Sequence, residues 1–514
     1  MNRPRSDRNL YLFAMIVALQ YLAAPVIYVG ITQGSLLDAL GANPILSNIP
    51  SASFFVMATL VTIISWAFPK VRHLKPVLVS CYALAGLTAG VTAWVLQNNH
   101  CSANTKILAV IAQSGITGAT IPTAIAFLWE ILGRSTEPSR RGVALGLAYG
   151  VGPLLAALGS LVSQLILAGH FSVGFFAWKI DIYEMPLNFS LLFGVISPVM
   201  FLASLLASQF VIPLPSSEVA RRPATTIVDL SLGILLSTLA MIFSLFSNLI
   251  LKESGSLQSS QEAVDELARQ GYQFFSALFG QEDIVRLSNS LMIASSLLMI
   301  LAAVLFAYHF RDLLQIRIIR ILTISTLLFY VGNVIPTNMN LYSKSVLQVD
   351  PAEYAGYQNL MRFSFKAVAG LALGFLLTKT NPRSGILVTG MLYVAALTWA
   401  MIASGKAYLL AFGIFGAGEL IGVYAPNYML SVCHESQMKR GQVLMNLLMG
   451  PVGQMGIIFG WIATALKPVG DSLAAKAIGF RMSFAVCILI LITGIVMTLV
   501  ALPKRPQPED VLSR

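Results

Sequence analysis

Apolar residues in this chain fall in long, nearly continuous runs of about 19–28 residues, separated by polar connections. A run of that length crosses roughly 30 Å of hydrocarbon as an α-helix. The runs are too long and too evenly apolar for the alternating strands of a membrane barrel, so helices are the expected element. Fourteen spans are predicted, at 10–31, 49–68, 76–97, 106–132, 141–168, 187–211, 226–251, 287–309, 316–338, 356–378, 384–404, 407–432, 441–466 and 476–502.

Composition supports the same class. Of 514 residues, 56% are hydrophobic and 11% charged, against roughly 25% charged in an average soluble protein. Surface scaling would force a soluble chain to carry more polar residues than this. The net charge of +11 could suggest a nucleic-acid partner, but its distribution argues against one. Of 33 Lys and Arg, 21 lie in alternate connections or at the chain ends, 9 lie on the opposite side, and Arg362, Lys366 and Arg481 fall inside spans. That asymmetry is the positive-inside pattern and places both termini in the cytoplasm of a cell (inner or plasma) membrane. The first apolar run is longer than a signal-peptide core and reads as a start-transfer helix. Cys81, Cys101, Cys433 and Cys487 match neither a disulfide framework nor a metal pattern.

A weak internal repeat organises the chain. Residues 129–159 and 428–460 both pass from an apolar helix end through a short polar loop to basic-basic-Gly, then into a helix carrying Gly-Pro. Arg141-Gly142 matches Arg440-Gly441, and Gly152-Pro153 matches Gly450-Pro451 with a one-residue slip. Upstream, Pro69-Lys70-Val71-Arg72 has a counterpart in 379–383. The expected fold is all-α and polytopic: two pseudo-symmetric six-helix bundles with two inserted helices. The units are 1–211, an insert at 212–315, 316–502, and a tail at 503–514. Parallel repeats of this kind build transporters whose substrate site lies near the midplane between the halves. The connection 252–286 carries three basic and six acidic residues. Ser259 with Glu262 resembles a capping box, so a short surface helix is expected there, ended by Gly271.

These features resemble the major facilitator superfamily in its fourteen-helix form. The loop 68–75 keeps the basic residues of that family's loop motif, Lys70, Arg72 and Lys75, without its glycine and aspartate. Gly152-Pro153 looks like the core of the family's antiporter motif, with Ala156-Ala157 where glycines are common. The resemblance implies a secondary active transporter of a small solute, an anion in one form, working by alternating access with protons as the coupling ion. It implies the lipid bilayer as surroundings, no nucleic-acid partner, no cofactor and a monomer. Two further readings stay open: a multidrug or lipophile efflux antiporter, and a membrane receptor or scaffold that moves no solute. Drug antiporters of this size carry an aspartate in the first helix, where this chain has Gln20. The Glu-x-x-Glu-Arg cluster of oligopeptide transporters is missing.

Charge inside a span is costly unless paired or hydrated, so it marks candidate chemistry. Arg362 and Lys366, four apart, share one face of the tenth span. Lys366 lies roughly 15 Å and Glu419 about 18 Å from the outer ends of their helices. The basic pair is the candidate anion site and Glu419 the candidate proton carrier. A plain ion pair between Lys366 and Glu419, with Arg362 reaching outward, is the simpler alternative. Gln20, Tyr21, Tyr330 and Asn333 are candidate substrate contacts, with Gln113, Thr117, Asn446 and Gln454 as further polar groups in spans. Glu130, Arg134, Arg140 and Arg141 form a candidate cytoplasmic gate. Gly152, Pro153, Gly450 and Pro451 are candidate helix hinges. Arg481 is expected to snorkel. No metal site is expected, because His434-Glu435 lacks a second histidine at ligand spacing. No phosphate loop points to ATP-driven work, and no catalytic motif to an enzyme. Cysteine labelling from outside the cell should modify Cys101 and a cysteine placed within 255–285, and spare one placed within 215–224. Outside labelling at 215–224 would rule out fourteen spans.

Overall fold

The computed structural model describes residues 3–28, 30–135, 151–173, 176–179, 181, 184–212, 227–259, 281–379, 381–432, 435–468 and 472–504. The first half contains α1 (Arg3–Ile27), α2 (Ile31–Ala39), α3 (Pro44–Ala58), α4 (Leu60–Ala67), α5 (Leu74–Gln97), α6 (Ala103–Ser135), α7 (Gly152–Ala168) and α8 (Leu187–Ala207). Two long helices follow, α9 (Ile227–Ser259) and α10 (Gln281–His309), then the short α11 (Arg311–Gln315). The second half contains α12 (Arg317–Tyr330), α13 (Pro336–Leu347), α14 (Ala355–Lys379), α15 (Pro382–Ile402), α16 (Leu410–Gly418), α17 (Ile421–Val432), α18 (Glu435–Gly453), α19 (Met455–Ala465) and α20 (Leu473–Ala501). This is an all-α polytopic membrane protein. Among the described residues, twelve helical stretches are long and apolar enough to cross a bilayer. Two further helices pack in the bundle without meeting that measure: the shorter apolar α7, and α14, which carries Arg362 and Lys366 in its interior.

Several expected spans are longer than the apolar pattern indicated, and broken. The first continues past a turn at Gly30, whose φ of 126° suits glycine, into α2. The second begins at Pro44, behind an Asn43 side chain that accepts from the Leu46 amide at 2.8 Å. It is interrupted at Thr59, whose hydroxyl donates back to the Val56 carbonyl at 2.6 Å. The ninth span runs on to Leu347 through a 3-10 turn at Val331–Val334 ahead of Pro336. The twelfth breaks between α16 and α17, and the thirteenth at Gln454 between α18 and α19. Among the described residues one unit is not helical: β1 (His170–Val173) pairs antiparallel with β2 (Phe176–Lys179) in a hairpin after α7. The helix expected near 259–271 lies outside the described residues.

Polarity is inverted relative to a soluble protein. Large apolar side chains line the outside, with Val500 80% exposed, while Asn48, Gln113, Gln164, Asn338 and Asn340 are buried within the bundle. Lipid is the environment in which that arrangement is stable. Helices α9 and α10 pack on each other through Ser244···Ser295 and Ser247···Ser288, both 2.7 Å, and rest on α3 and α18.

The start of α1 and the end of α20 lie at one end of the bundle, away from Ile31 and Arg481, which bond to Asn340 and Tyr342. At the opposite, distal end the halves are joined. Asn48 donates to the Asn338 side-chain oxygen at 2.7 Å, and Asn340 to Ser35 Oγ at 2.8 Å and the Ile31 carbonyl at 3.1 Å. Gln164 of α7 donates to the Glu353 carbonyl at 2.5 Å and accepts from the Tyr357 amide at 3.0 Å. Lys344 bridges Asp38 at 3.6 Å and Asp350 at 3.1 Å. The seam between α19 and α3 is close enough that a Cβ at Gly460 would meet the Pro44 carbonyl oxygen at 2.6 Å, whereas one at Gly370 would meet nothing within 4 Å. Gly460→Leu should therefore cost about 1–3 kcal/mol from overpacking. Gly370→Ala should be neutral or add up to about 1 kcal/mol of helix propensity. Thermal unfolding in detergent measures both, and equal behaviour would refute the seam.

Candidate functional site

Helix α14 presents Arg362 and Lys366 on one face, toward the joint between α16 and α17. Gly416 permits the approach, because a Cβ there would collide with the backbone carbonyl of Arg362. Glu419 occupies the joint itself. The chain turns tightly there, with Gly422 N bonding to the Glu419 carbonyl at 3.1 Å and Val423 N to the Leu420 carbonyl at 2.8 Å. These i→i+3 bonds keep the backbone satisfied while the helix is interrupted.

The three charges meet. Arg362 binds Oε1 of Glu419 through Nε at 3.0 Å and through Nη2, and Lys366 Nζ binds Oε2 at 3.2 Å. Side-chain exposure is 7% for Glu419, 10% for Arg362 and 23% for Lys366. Arg362 does not reach outward; its guanidinium lies 5.5 Å from the Phe363 ring centre and 6.0 Å from that of Phe415. Two cations against one carboxylate leave the cluster one positive charge in excess.

Around Glu419 stand two phenols. Tyr393 donates to Asn333 Oδ1, and its ring is packed by Gly332 and Gly418. Tyr330 is buried with its hydroxyl toward Gly422. Sequence reasoning named Tyr330 and Asn333 but missed Tyr393, whose span reads as uniformly apolar.

The first half contributes a separate polar cluster. Gln20 donates to Tyr28 Oη at 2.7 Å and accepts from Tyr82 Oη at 2.9 Å. It borders a cavity of about 120 Å³ lined by Phe13, Val17, Tyr21, Tyr28, Ile125, Leu128 and Trp129 as well. Tyr21 packs on Gly152 at the start of α7. Phe363 links the two sites: it packs with Ala24 and Ala156, against which Tyr21 and Tyr28 also rest.

Other candidates stand apart. Gln113 bonds within its own helix to Thr117 at 2.8 Å. Glu130 and Arg134 form an exposed i,i+4 pair at 2.8 Å, while Arg140 and Arg141 lie outside the described residues. Gly152 opens α7 ahead of Pro153. Gly450 sits inside α18 before Pro451, facing Thr59. Arg481 does not merely snorkel; its Nε donates to Tyr342 Oη at 2.8 Å. Cys101 is a free thiol, and no cluster of metal-ligating side chains occurs among the described residues.

No protein-family model matches the chain, and no curated protein matches it. Solved structures share its fold. A D-xylose–proton symporter aligns over 97% of this chain and 99% of its own, with a TM-score of 0.60 at 12% identity. A POT family transporter in complex with a thioalcohol-conjugated peptide aligns over 96% of each chain, with a TM-score of 0.60 at 10% identity. A bacterial homologue of the human lysosomal transporter Spinster aligns over 100% of this chain and 98% of its own, with a TM-score of 0.55 at 13% identity. The chain therefore has a major-facilitator-like fold.

Removing Glu419 would leave two buried cations facing each other, whereas removing the Lys366 charge leaves a neutral Arg362–Glu419 pair. Breaking a buried pair costs about 3–5 kcal/mol. Glu419→Gln should approach that loss in thermal unfolding, and Lys366→Met should lose much less. The reverse order would contradict the charge count.

Proposed function

We propose that the chain is a secondary active transporter of the major facilitator superfamily in its fourteen-helix form, moving a small anionic solute by alternating access with protons as the coupling ion. The observation that carries this reading is the buried Arg362–Glu419–Lys366 cluster with its excess positive charge. Such a charge at membrane depth is retained where it serves a ligand or an ion. The transporter fold shared with a proton symporter supports the class.

The chemistry follows from competition for the two cations. An anion arriving at Arg362 and Lys366 meets Glu419 already bound there, and two carboxylates crowded at one site raise each other's proton affinity. A proton taken by Glu419 frees both cations for the anion. The cluster then carries one net positive charge both empty and loaded with proton plus monoanion, so neither form faces a larger electrostatic barrier within the bilayer. Tyr330, Asn333, Gln20 and Tyr21 would contact the remainder of the solute.

In this reading residues 1–211 and 316–502 move against each other, with 212–315 as the insert. Gly152-Pro153 and Gly450-Pro451 act as hinges. The distal end is the outer side and is closed, while Glu130, Arg134, Arg140 and Arg141 latch the cytoplasmic side. Both termini are cytoplasmic, in the cell membrane, and the monomer is the working unit.

The test uses purified protein in proteoliposomes with an imposed pH gradient and a panel of anions, sugars, peptides and drugs. Acidification of the side away from the lumen should drive anion uptake. Lys366→Ala should abolish it in a folded protein. The double change Lys366→Ala with Glu419→Gln leaves Arg362 as the one charge of the cluster, so it should fold better than Glu419→Gln, less well than Lys366→Ala, and remain inactive. Full transport in the double variant would sink the substrate-binding role.

A further inference from the structure

Gln358 lies one helical turn before Arg362, on the same face of α14, so residues 358, 362 and 366 form a single stripe. Its side chain is completely buried, and neither its Nε2 nor its Oε1 makes a hydrogen bond to the protein. Among the described residues it is the one side-chain amide with both ends in that condition. The other buried glutamines of this region are engaged at both ends: Gln20 by Tyr28 and Tyr82, Gln164 by Glu353 and Tyr357. Beside Gln358, Asn359 also has a buried Nδ2 without a protein acceptor. Buried polar groups are almost always bonded, so an amide left open at both ends calls for a cause.

Position suggests the cause. Long helical side chains lie back over the turn N-terminal to their own Cα, which brings the Arg362 guanidinium toward the turn holding Gln358 and Asn359. Exposure rises along the stripe, from 0% at Gln358 to side-chain values of 10% at Arg362 and 23% at Lys366. Lys366 is thus at the open side of the site and Gln358 at its closed end, toward the distal seal.

We propose that Gln358, assisted by Asn359, recognises a hydroxyl group adjacent to the anionic group held by Arg362 and Lys366, so that the solute is a small hydroxycarboxylate. This rests on the anion-transport reading above. A carboxamide is matched to a hydroxyl: its oxygen accepts the hydroxyl proton while its N–H donates to the hydroxyl oxygen. A solute lacking the hydroxyl leaves the amide as it stands in the unliganded protein. Sites that bond a hydroxyl discriminate against analogues without it far better than apolar pockets discriminate by size.

The experiment compares binding of lactate and glycerate with propionate to the purified full chain, by calorimetry, in wild type and in Gln358→Leu. Wild type should bind the hydroxy acids at least about tenfold more tightly than propionate, the equivalent of one good hydrogen bond. Gln358→Leu should keep propionate binding, bring that ratio to within about threefold, and unfold at an unchanged or higher temperature, because an apolar group of similar shape replaces an unbonded amide. Equal wild-type affinity for lactate, glycerate and propionate overturns the proposal and requires no variant. So does a tenfold ratio that survives in Gln358→Leu, and a lowered unfolding temperature with the ratio intact would show the amide to be structural. Failure of wild type to bind any of the three acids instead overturns the anion reading of Arg362 and Lys366.

Discussion

Hydrocarbon offers no hydrogen bonds, so every backbone group within the bilayer must find its partner inside the protein. The rest of this architecture follows from that constraint. Helices can be interrupted only where protein surrounds the interruption. The breaks at Thr59 and Gln454 are buried, as are Val331, Gly332 and Val334 of the 3-10 turn, and the Glu419 side chain at another break is 7% exposed. Interrupted helices carry free geometry, and the polar side chains gather at them: Glu419 between α16 and α17, and Asn333 in the 3-10 turn that Tyr393 grips. A break in a membrane helix and a place for a polar group are one feature.

The charged cluster shows how such a place is held. At an effective dielectric near 20, each contact between opposite charges at about 4 Å is worth about 4 kcal/mol, and the burial of all three groups opposes that gain. Aromatic rings on either side of Arg362 and the glycine surface at Gly416 fix the geometry in which the attraction is realised. Because Phe363 reaches across to Tyr21 and Tyr28, a shift of α14 against α1 is felt at once in the charged cluster and beside the aromatic cavity. The two halves meet through that ring, through the packing of α18 on α3 where Gly450 faces Thr59, and through the polar seam at the distal end. The seam includes Asn48 and Asn340, each with one amide group bonded across the halves and a side-chain oxygen left unbonded. An interface whose acceptors lack a protein partner is held less firmly than one of apolar side chains, since water offers them bonds when it opens. That property would suit the alternating access proposed above.

The hydrophobic pattern made the helical class and the membrane setting legible, because spanning hydrocarbon imposes both length and apolarity on each segment. It misjudged segment ends where polar residues continue a helix inside protein. Residues 339–347 include Asn340, Ser343, Lys344 and Ser345, yet they extend the ninth span. The hairpin after α7 escaped notice because eight residues of short strand carry no strong periodicity. In the sequence Arg481 reads as a snorkelling side chain, since nothing local shows that Tyr342, distant in sequence, lies against it.

In the charged site, Arg362, Lys366 and Glu419 stood out in the sequence because charge is rare in apolar runs, and helix geometry put them at comparable depth. The sequence by itself determined the class, the helical pattern and the identity of the charges, all of which follow from the cost of placing residues in hydrocarbon. Only the tertiary structure decided that Arg362 as well as Lys366 engages the carboxylate, that Tyr393 holds Asn333, and that Gln358 is buried without a protein partner. Those facts depend on which faces of separate helices meet. Neutral polar side chains occur throughout the spans, and which of them stays unpaired is set by packing between segments far apart in the chain.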